Sequence, residues 1–423
     1  MISMPRGTHD YPPSEALLLR DILTKAESVF RRFGFSPLVT PALESNDVLS
    51  AKSYGEEATT EFFEVEGEEA GLRYDLTVPM SRFVAQNRDL PMPFKRYEIG
   101  AAWRKEEPQR MRYREFYQAD VDIVGTSEVA SDAEVIAACA TVLDELGING
   151  YVVHLNSRII LNSMLEMFGV AAEKRAEVMR ALDKLYKLGS DAVKAQLVSM
   201  GLSGQQADEV LQFISAGDEE SKSEKLASFS ATAKTEIERM NKLVELVKSY
   251  GTTGDIAIDF SIVRGINYYT SFVWEFVAEK DGKRLPSIVA GGRYDNLIGM
   301  LAGKGKPLPA TGSSLGISRI FDMLYQETGI RSSARAFVAH AKPADFPNAL
   351  KAANELRALG INAEVEVAGR ALSKQLEYAA SLGIPFVVIV GEAEVKQGKL
   401  RLRDMSTGSE ELLSIDELAK KVA

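Results

Sequence analysis

The stretch FKRYEIGAAWRKEEPQRMRYREFYQADVDIVG, Phe94 to Gly125, decides the fold. From Tyr97 to Gly125 apolar and polar residues alternate in two runs, separated by the charged segment Arg104 to Arg114. Period-two alternation interrupted by a polar turn predicts a long antiparallel hairpin with a basic loop. Seven basic and four acidic residues lie between Phe94 and Glu115. Arg104 and Glu106 fall where the first strand enters the loop, and Arg112 and Arg114 where the second begins. Arginine presents a rigid fork of donors matched to phosphate oxygens, so the loop could grip a triphosphate; a solvated charged hairpin is the plain alternative. Gln118, Asp120 and Asp122 share one face of the second strand.

On the N-terminal side, Ser14 to Phe33 predicts an amphipathic helix, capped by Ser14 and ended by Gly34. GFSPLVTPALE, Gly34 to Glu44, holds a short apolar strand between prolines. After the hairpin comes a helix, Ser131 to Leu146, closed by Gly147. Ser157 to Tyr250 is then almost wholly helical in pattern, and GDEESKSEK, Gly217 to Lys225, reads as a solvated turn or mobile loop. Strands return at Ile256 to Val263, Tyr268 to Val277 and Ser287 to Ala290, followed by a helix, Leu315 to Tyr325. RSSAR, Arg331 to Arg335, is a linker. Beyond it strands 336–340, 362–367 and 386–390 alternate with helices 346–359 and 372–381, which predicts an α/β layer domain. The fold expected is α+β: an antiparallel sheet domain in two parts, 1–156 and 252–330, a helical insertion, 157–251, and an α/β domain, 333–423.

The chain has 423 residues, of which 45% are hydrophobic and 26% charged, so several cores are expected. No apolar run approaches the roughly 20 residues that span a bilayer. The first residues, MISMPRGTHDYPPSEALLLR, lack a charged-then-apolar export signal, so a cytoplasmic, membrane-free protein is expected. One cysteine, Cys139, excludes an intrachain disulfide and argues against cysteine zinc sites; it reads as a core residue. His9, His154 and His340 are scattered and read as structural or surface residues. Net charge is −10, which argues against non-specific nucleic-acid binding. Locally the balance differs: Ser333 to Ala423 holds 12 basic and 12 acidic residues. Because screening acts within about 8 Å, such local balances matter more to a phosphate than the total.

The Phe94–Gly125 hairpin resembles the second signature motif of class II aminoacyl-tRNA synthetases. GFSPLVTPALE resembles their first motif, which implies a homodimer, and TGSSLGISRIF, Thr311 to Phe321, resembles the third. VRGINYY, Val263 to Tyr269, and AGGRYDNL, Ala290 to Leu297, resemble the two signature segments of histidyl-tRNA synthetases. PRGTHDYPP and LRYDLTVPMSRF, Leu72 to Phe83, also look like that family in its archaeal and eukaryotic style. The resemblance implies a class II synthetase sheet domain with a helical insertion and a C-terminal α/β anticodon-binding domain. It implies a ligase that activates L-histidine with ATP and Mg2+ and loads it onto tRNA(His), with no metal held by protein alone.

Roles follow residue by residue from the same resemblance. Arg104 and Arg264 would contact the α-phosphate of ATP, Glu106 and Arg112 the adenine, β- or γ-phosphate region, and Arg319 the γ-phosphate. Asp75, Thr77 and Gln118 would bind the α-amino group of histidine. Asp122 and Tyr269 would face the imidazole, and Tyr268, Gly291, Gly292 and Tyr294 would line the pocket. The C-terminal domain would read the anticodon and the insertion would touch the acceptor arm. Lys399, Arg401 and Arg403 alternate along one expected strand and would contact tRNA, with a charge-guarded edge as the alternative. Three departures stand out: Asn267 where the family has Asp, Asp122 where bacterial members have the longer Glu, and Ser318 where an acid is common. Two rivals share the scaffold. One is the regulatory paralogue of ATP phosphoribosyltransferase in histidine biosynthesis, the other a class II synthetase for glycine, threonine or proline.

Overall fold

The computed structural model describes residues 2–50, 62–109, 111–215, 217–263, 268–280, 283–284, 286–303, 306–325 and 332–422. Contacts divide the chain into two compact units, Met1–His9 with Asp21–Met323, and Asp10–Arg20 with Leu324–Ala423.

The first unit is built on one sheet of β1 (Ser36–Pro37), β2 (Phe94–Trp103), β3 (Glu115–Val124), β4 (Val152–Ser157), β5 (Asp255–Ile258), β6 (Phe272–Val277), β7 (Val289–Arg293) and β8 (Ala310–Gly316). Their order across the sheet is β1-β2-β3-β8-β7-β6-β4-β5. The β2–β3 hairpin forms where alternation predicted it, with loop 104–114 at its tip. The six inner strands are antiparallel, as expected, whereas both edge pairs, β1 with β2 and β4 with β5, are parallel. A parallel pair needs a long crossover rather than a turn. Here the crossovers are the segment between β1 and β2 and the entire helical insertion.

Register places the site. Across from Gln118, Asp120 and Asp122 on β3 stand Gly100, Glu98 and Arg96 of β2 on one side. On the other side stand Gly316, Ser314 and Gly312 of β8. Two of these glycines are demanded by close approach: a Cβ on Gly312 would lie 1.8 Å from Asp122 Oδ1, and one on Gly100 would lie 2.5 Å from Arg73 Nη2. Arg73 is buried and joins the segment around Thr40 to the sheet. Its Nη1 donates to Thr40 O at 2.7 Å and to Glu98 Oε1 at 2.9 Å.

The helix Val129–Glu145 backs the sheet with an almost continuously buried apolar run. Arg293 of β7 pins it through an ion pair to Asp132 at 2.7 Å, both side chains being out of solvent. Such a pair fixes position more than it adds stability, because desolvation offsets most of the attraction.

Helices fill the insertion from Arg158 to Ser249. Gly217 to Lys225, expected as a turn or mobile loop, instead runs into a helix, Glu219–Phe229. Its charges conceal a cap and a pair: Asp218 accepts from Ser221 N at 3.0 Å, and the buried Lys222 reaches Glu219 at 2.7 Å. An acidic first turn suits a helix N-terminus. Glu236, buried on the last helix of the insertion (Ala231–Ser249), accepts from Ser157 Oγ at 2.6 Å and Ser271 Oγ at 2.5 Å. It thereby ties that helix to the ends of β4 and β6.

The second unit carries β9 (Ala336–His340), β10 (Ala363–Val365), β11 (Phe386–Val390), β12 (Leu400–Asp404) and β13 (Glu410–Leu413) in the order β10-β9-β11-β12-β13. The first three are parallel and the last two antiparallel. Helices Phe346–Ala358 and Leu372–Ser381 form as expected; β13 and the closing helix Ile415–Val422 add to the predicted pattern. Val338, Val388, Leu356 and Leu418 meet in its core.

Candidate active site

A cleft of roughly 1080 Å³, open solvent included, lies over β3 and β8. Asp75, Thr77, Arg104, Arg112, Gln118, Asp122, Tyr268, Tyr269, Tyr294 and Arg319 all line it, so residues far apart in the chain converge. Glu106 sits at its margin and forms an ion pair with Arg112. Gly291 serves the sheet rather than the wall: a Cβ there would meet Gly312 O at 2.4 Å. A Cβ on Gly292 would lie 2.8 Å from the Tyr269 ring. Arg264 and Asn267 lie outside the described residues. Lys399, Arg401 and Arg403 are on or beside β12 of the second unit, where Arg401 pairs with Glu394 at 2.8 Å and Arg403 with Glu410 at 3.0 Å. None of the three histidines lines the cleft. His154 pairs with Asp259 at 2.8 Å, and Cys139 is buried.

The floor is anionic. Asp122 Oδ2 lies 2.7 Å from Nη2 of the fully buried Arg96, and Asp122 Oδ1 accepts from the Tyr294 hydroxyl. Burial pushes the Asp122 carboxyl up, and Arg96 and the Tyr294 hydrogen bond pull it back. Burial alone would lower Arg96, but Asp122, Asp120 and Glu98 together hold it above its ordinary value. Burial and Asp122 raise the Tyr294 phenol, so it stays a donor. Asp75 accepts from Val78 N at 2.9 Å at the start of the helix Thr77–Gln86, which fixes its carboxylate beside Thr77. Gln118 gives its amide Nε2 to Ser314 Oγ at 2.6 Å. Tyr268 and Tyr269 close one side, their ring centroids 4.3 Å apart.

The rim is cationic. The Arg104 guanidinium lies 4.9 Å from the Phe116 ring centroid and donates to Tyr74 O at 3.2 Å. Arg319 donates to Ser287 O at 2.6 Å and Met111 O at 3.4 Å. Met111 holds φ at 61°, in the left-handed region that a non-glycine residue seldom adopts. The N-terminal segment crosses the hairpin loop: Arg114 N donates to Gly7 O at 2.7 Å, and Arg6 meets Glu107 at 3.1 Å. Ser318 holds the second strand in place by accepting from Tyr117 N at 3.0 Å.

Arg96, Phe116 and Ser314 are site residues that sequence reasoning did not single out. Arg96 could have been found by extending the hairpin register back from the loop, which sets it opposite Asp122. A carboxylate floor under an arginine rim suits a ligand pair with one cationic or donor-rich member and one polyphosphate. Backbone and fixed cations already aimed at a polyphosphate stabilise charge growing there without reorganising.

Comparison with known proteins agrees. The histidyl-tRNA synthetase family model matches residues 7–320, and the anticodon binding domain model matches residues 336–423. The chain is 37% identical over 428 residues to the histidine–tRNA ligase of Aeropyrum pernix, covering 99% of this chain and 97% of that one. It is also 37% identical over 434 residues to the histidine–tRNA ligase of Wolinella succinogenes, covering 98% and 96%. The solved histidyl-tRNA synthetase from Nostoc sp. PCC 7120 superposes with a TM-score of 0.86 at 28% identity, over 100% of this chain and 99% of that one. A Bacillus halodurans structure titled an ATP phosphoribosyltransferase regulatory subunit/histidyl-tRNA synthetase shares the fold, with a TM-score of 0.76 at 21% identity over 92% and 98%. The likeness runs through both parts of the sheet and on to the last residues, and the chain belongs to the histidyl-tRNA synthetase family.

Proposed function

We infer that the chain is a histidine–tRNA ligase. The observation that carries this reading is the polarity of one cleft, carboxylates below and arginines above, on a chain that matches the family over its length. The histidine carboxylate attacks the α-phosphorus of ATP, an oxygen–phosphorus bond forms, and pyrophosphate leaves. The 3′-hydroxyl of the terminal adenosine of tRNA(His) then takes the histidyl group from the adenylate. The attacking carboxylate is already ionised, so the first step needs no general base; the need is for cations placed where phosphate charge grows.

Arg104, Arg112 and Arg319 line the cleft at the side suited to the triphosphate, with Arg264 assigned there by its motif. Phe116, beneath Arg104, offers a flat apolar surface for the purine. Asp75, Thr77 and Gln118 suit the α-amino group, and Asp122, Tyr269 and Tyr294 the imidazole, with Tyr268 beside them. A pocket that must satisfy buried polar groups rejects amino acids that leave them unpaired, by about 10⁴ to 10⁵ in comparable sites. Magnesium would be carried mainly by the triphosphate: among the described residues no three His, Cys, Asp or Glu cluster to hold an ion, and Glu106 is engaged by Arg112. The ion would supply charge neutralisation along the phosphates.

We assign the tRNA anticodon to the 333–423 segment, the acceptor arm to the 157–251 insertion, and a homodimer interface to the Gly34–Glu44 motif, where Val39 is 88% exposed. Among the described residues no helix is long and apolar enough to cross a membrane; a cytoplasmic place is assigned from the proposed reaction on tRNA. The regulatory rival is less well supported, because the cleft keeps its arginines and the anticodon-binding match is present. ATP–pyrophosphate exchange with each of the twenty amino acids tests the reading. Exchange stimulated by histidine alone is expected; stimulation by another amino acid, or by none, would overturn it.

A further inference from the structure

The hairpin loop 104–114 carries five basic residues and two acidic ones, so its like charges repel one another. Its course is nevertheless set by ties within the loop and to other parts of the chain. Gln109 and Arg112 exchange backbone hydrogen bonds at 3.0 and 2.9 Å, which pins the two sides of the loop tip together. Three further ties come from one helix, Ile317–Leu324. Ser318 Oγ accepts from Tyr117 N at 3.0 Å, and Arg319 Nε donates to Met111 O at 3.4 Å. Both carboxylate oxygens of Asp322 accept from the Tyr113 hydroxyl, at 3.0 and 3.1 Å. Ser318 and Asp322 are four residues apart and share a face of the helix. Tyr113 and Tyr117 are four apart on the returning arm of the hairpin. Helix and hairpin are thus laced at two levels, with Arg319 between them.

We propose that Asp322 is a positioning residue for the nucleotide. By holding the Tyr113 hydroxyl it sets the loop, and Arg112 with it, against Arg319 before a polyphosphate arrives. Arg112, Tyr113 and Arg319 line the cleft and Asp322 does not, so Asp322 acts through Tyr113 and not by touching the ligand. Tyr113 directly follows Arg112, and whatever fixes its ring fixes the backbone from which that guanidinium projects. Cations fixed in advance stabilise phosphate charge without reorganising, and a tethered loop loses less freedom on binding. The proposal rests on the reading above in taking the polyphosphate to be ATP.

The sign of the effect separates this role from plain electrostatics. Asp322 is a carboxylate three residues from Arg319. A negative charge near a polyphosphate site repels the ligand. On charge alone, its removal would tighten nucleotide binding. Loss of a tether weakens it.

The test titrates the full chain with ATP and Mg2+ by calorimetry, without amino acid, and then follows pyrophosphate exchange with ATP and histidine varied in turn. Asp322→Ala should weaken ATP by about tenfold or more, the order of one hydrogen bond to a charged group. Its KM for ATP should rise alike, with the KM for histidine within about twofold. Asp322→Asn keeps an acceptor and should recover part of the loss. Tyr113→Phe, which keeps the ring and loses only the hydroxyl, should match Asp322→Ala, and the double variant should be no worse than either. Tighter or unchanged ATP binding in Asp322→Ala, equal rises in both KM values, or losses that multiply in the double variant would overturn the proposal. Should Asp322→Ala fail to fold, Tyr113→Phe decides alone, and unchanged ATP affinity there overturns it equally. Wild type that binds ATP yet shows no histidine-dependent exchange contradicts the histidine reading instead, and the ATP titrations still decide the role of Asp322.

Discussion

The guanidinium of Arg96 lies 2.7 Å from the carboxylate of Asp122, and neither residue is more than 2% exposed. Two neighbouring strands thus bury a charge pair directly beneath the cleft, and the shorter side chain of Asp122 is held by a partner rather than left to reach. Removing one member of such a pair leaves the other charged and unpaired, at about 3–5 kcal/mol. Arg96→Leu should lower stability by that order, and Arg96→Leu with Asp122→Asn should recover most of the loss, as read by denaturant unfolding. Neither variant should activate histidine normally; an Arg96→Leu protein with unchanged stability and histidine KM would show the pair to be idle.

Gly312 faces Asp122 with no room for a methyl group, a Cβ falling 1.8 Å from Oδ1. Gly312→Ala must therefore displace the carboxylate or the strand. The expected result is a rise in histidine KM of at least about tenfold, as one good charged hydrogen bond is lost, with ATP KM within about twofold. Steady-state pyrophosphate exchange, varied in each substrate, separates the two.

Arg104→Ala removes a rim cation that among the described residues has no ion-pair partner, only a carbonyl and an aromatic face. By analogy with other preorganised donors the exchange rate should fall by roughly 10² or more while the melting temperature holds. Arg104→Lys should restore only part of it, since an ammonium lacks the planar fork. Full activity in the alanine variant would remove Arg104 from the chemistry.

Arg401 and Arg403 share Glu410, and Arg401 also meets Glu394, so tRNA would have to compete for both. Replacing Lys399, Arg401 and Arg403 with serine should raise tRNA KM several-fold at physiological salt and flatten its salt dependence. Pyrophosphate exchange should not change. Glu410→Gln should act oppositely and lower tRNA KM; if neither variant alters it, the β12 cations form a solvated, carboxylate-paired face and not a contact, β12 being flanked by β11 and β13 rather than lying at the sheet edge.

The hairpin was legible because alternation is a local signal, and the C-terminal layers because helix and strand periods alternate cleanly. Helix Glu219–Phe229 was not, since its stability comes from a cap and a buried lysine that composition presents as mere charge. Strands Val152–Ser157 and Glu410–Leu413 escaped because VVHLNS runs straight into a helical stretch and EELL opens on two charges, so neither shows a clean alternation. Most of the converging site residues came from motif resemblance, and position in the chain alone could not have gathered them. Arg96 and Asp120 are the instructive cases. Each looks like an ordinary charged strand residue until cross-strand register shows what stands opposite: Asp122 for one, Glu98 and Ser314 for the other.

The parallel pairing of β4 with β5 bears on how this fold could have been assembled. The chain leaves β4 at Ser157 but must re-enter the sheet beside Val152, opposite Asp255. It has to travel back about 17 Å along the strand before it can pair again. The helix Ala231–Ser249, about 28 Å long, makes that return, anchored near the far end by Glu236. A gene rearrangement that joined Ser157 to Asp255 by a tight turn would reverse the last strand and turn every side chain of that edge to a new neighbour. The insertion can therefore vary in its outer helices, but its final one is a fixed strut, and any ancestor without the module needed another way back.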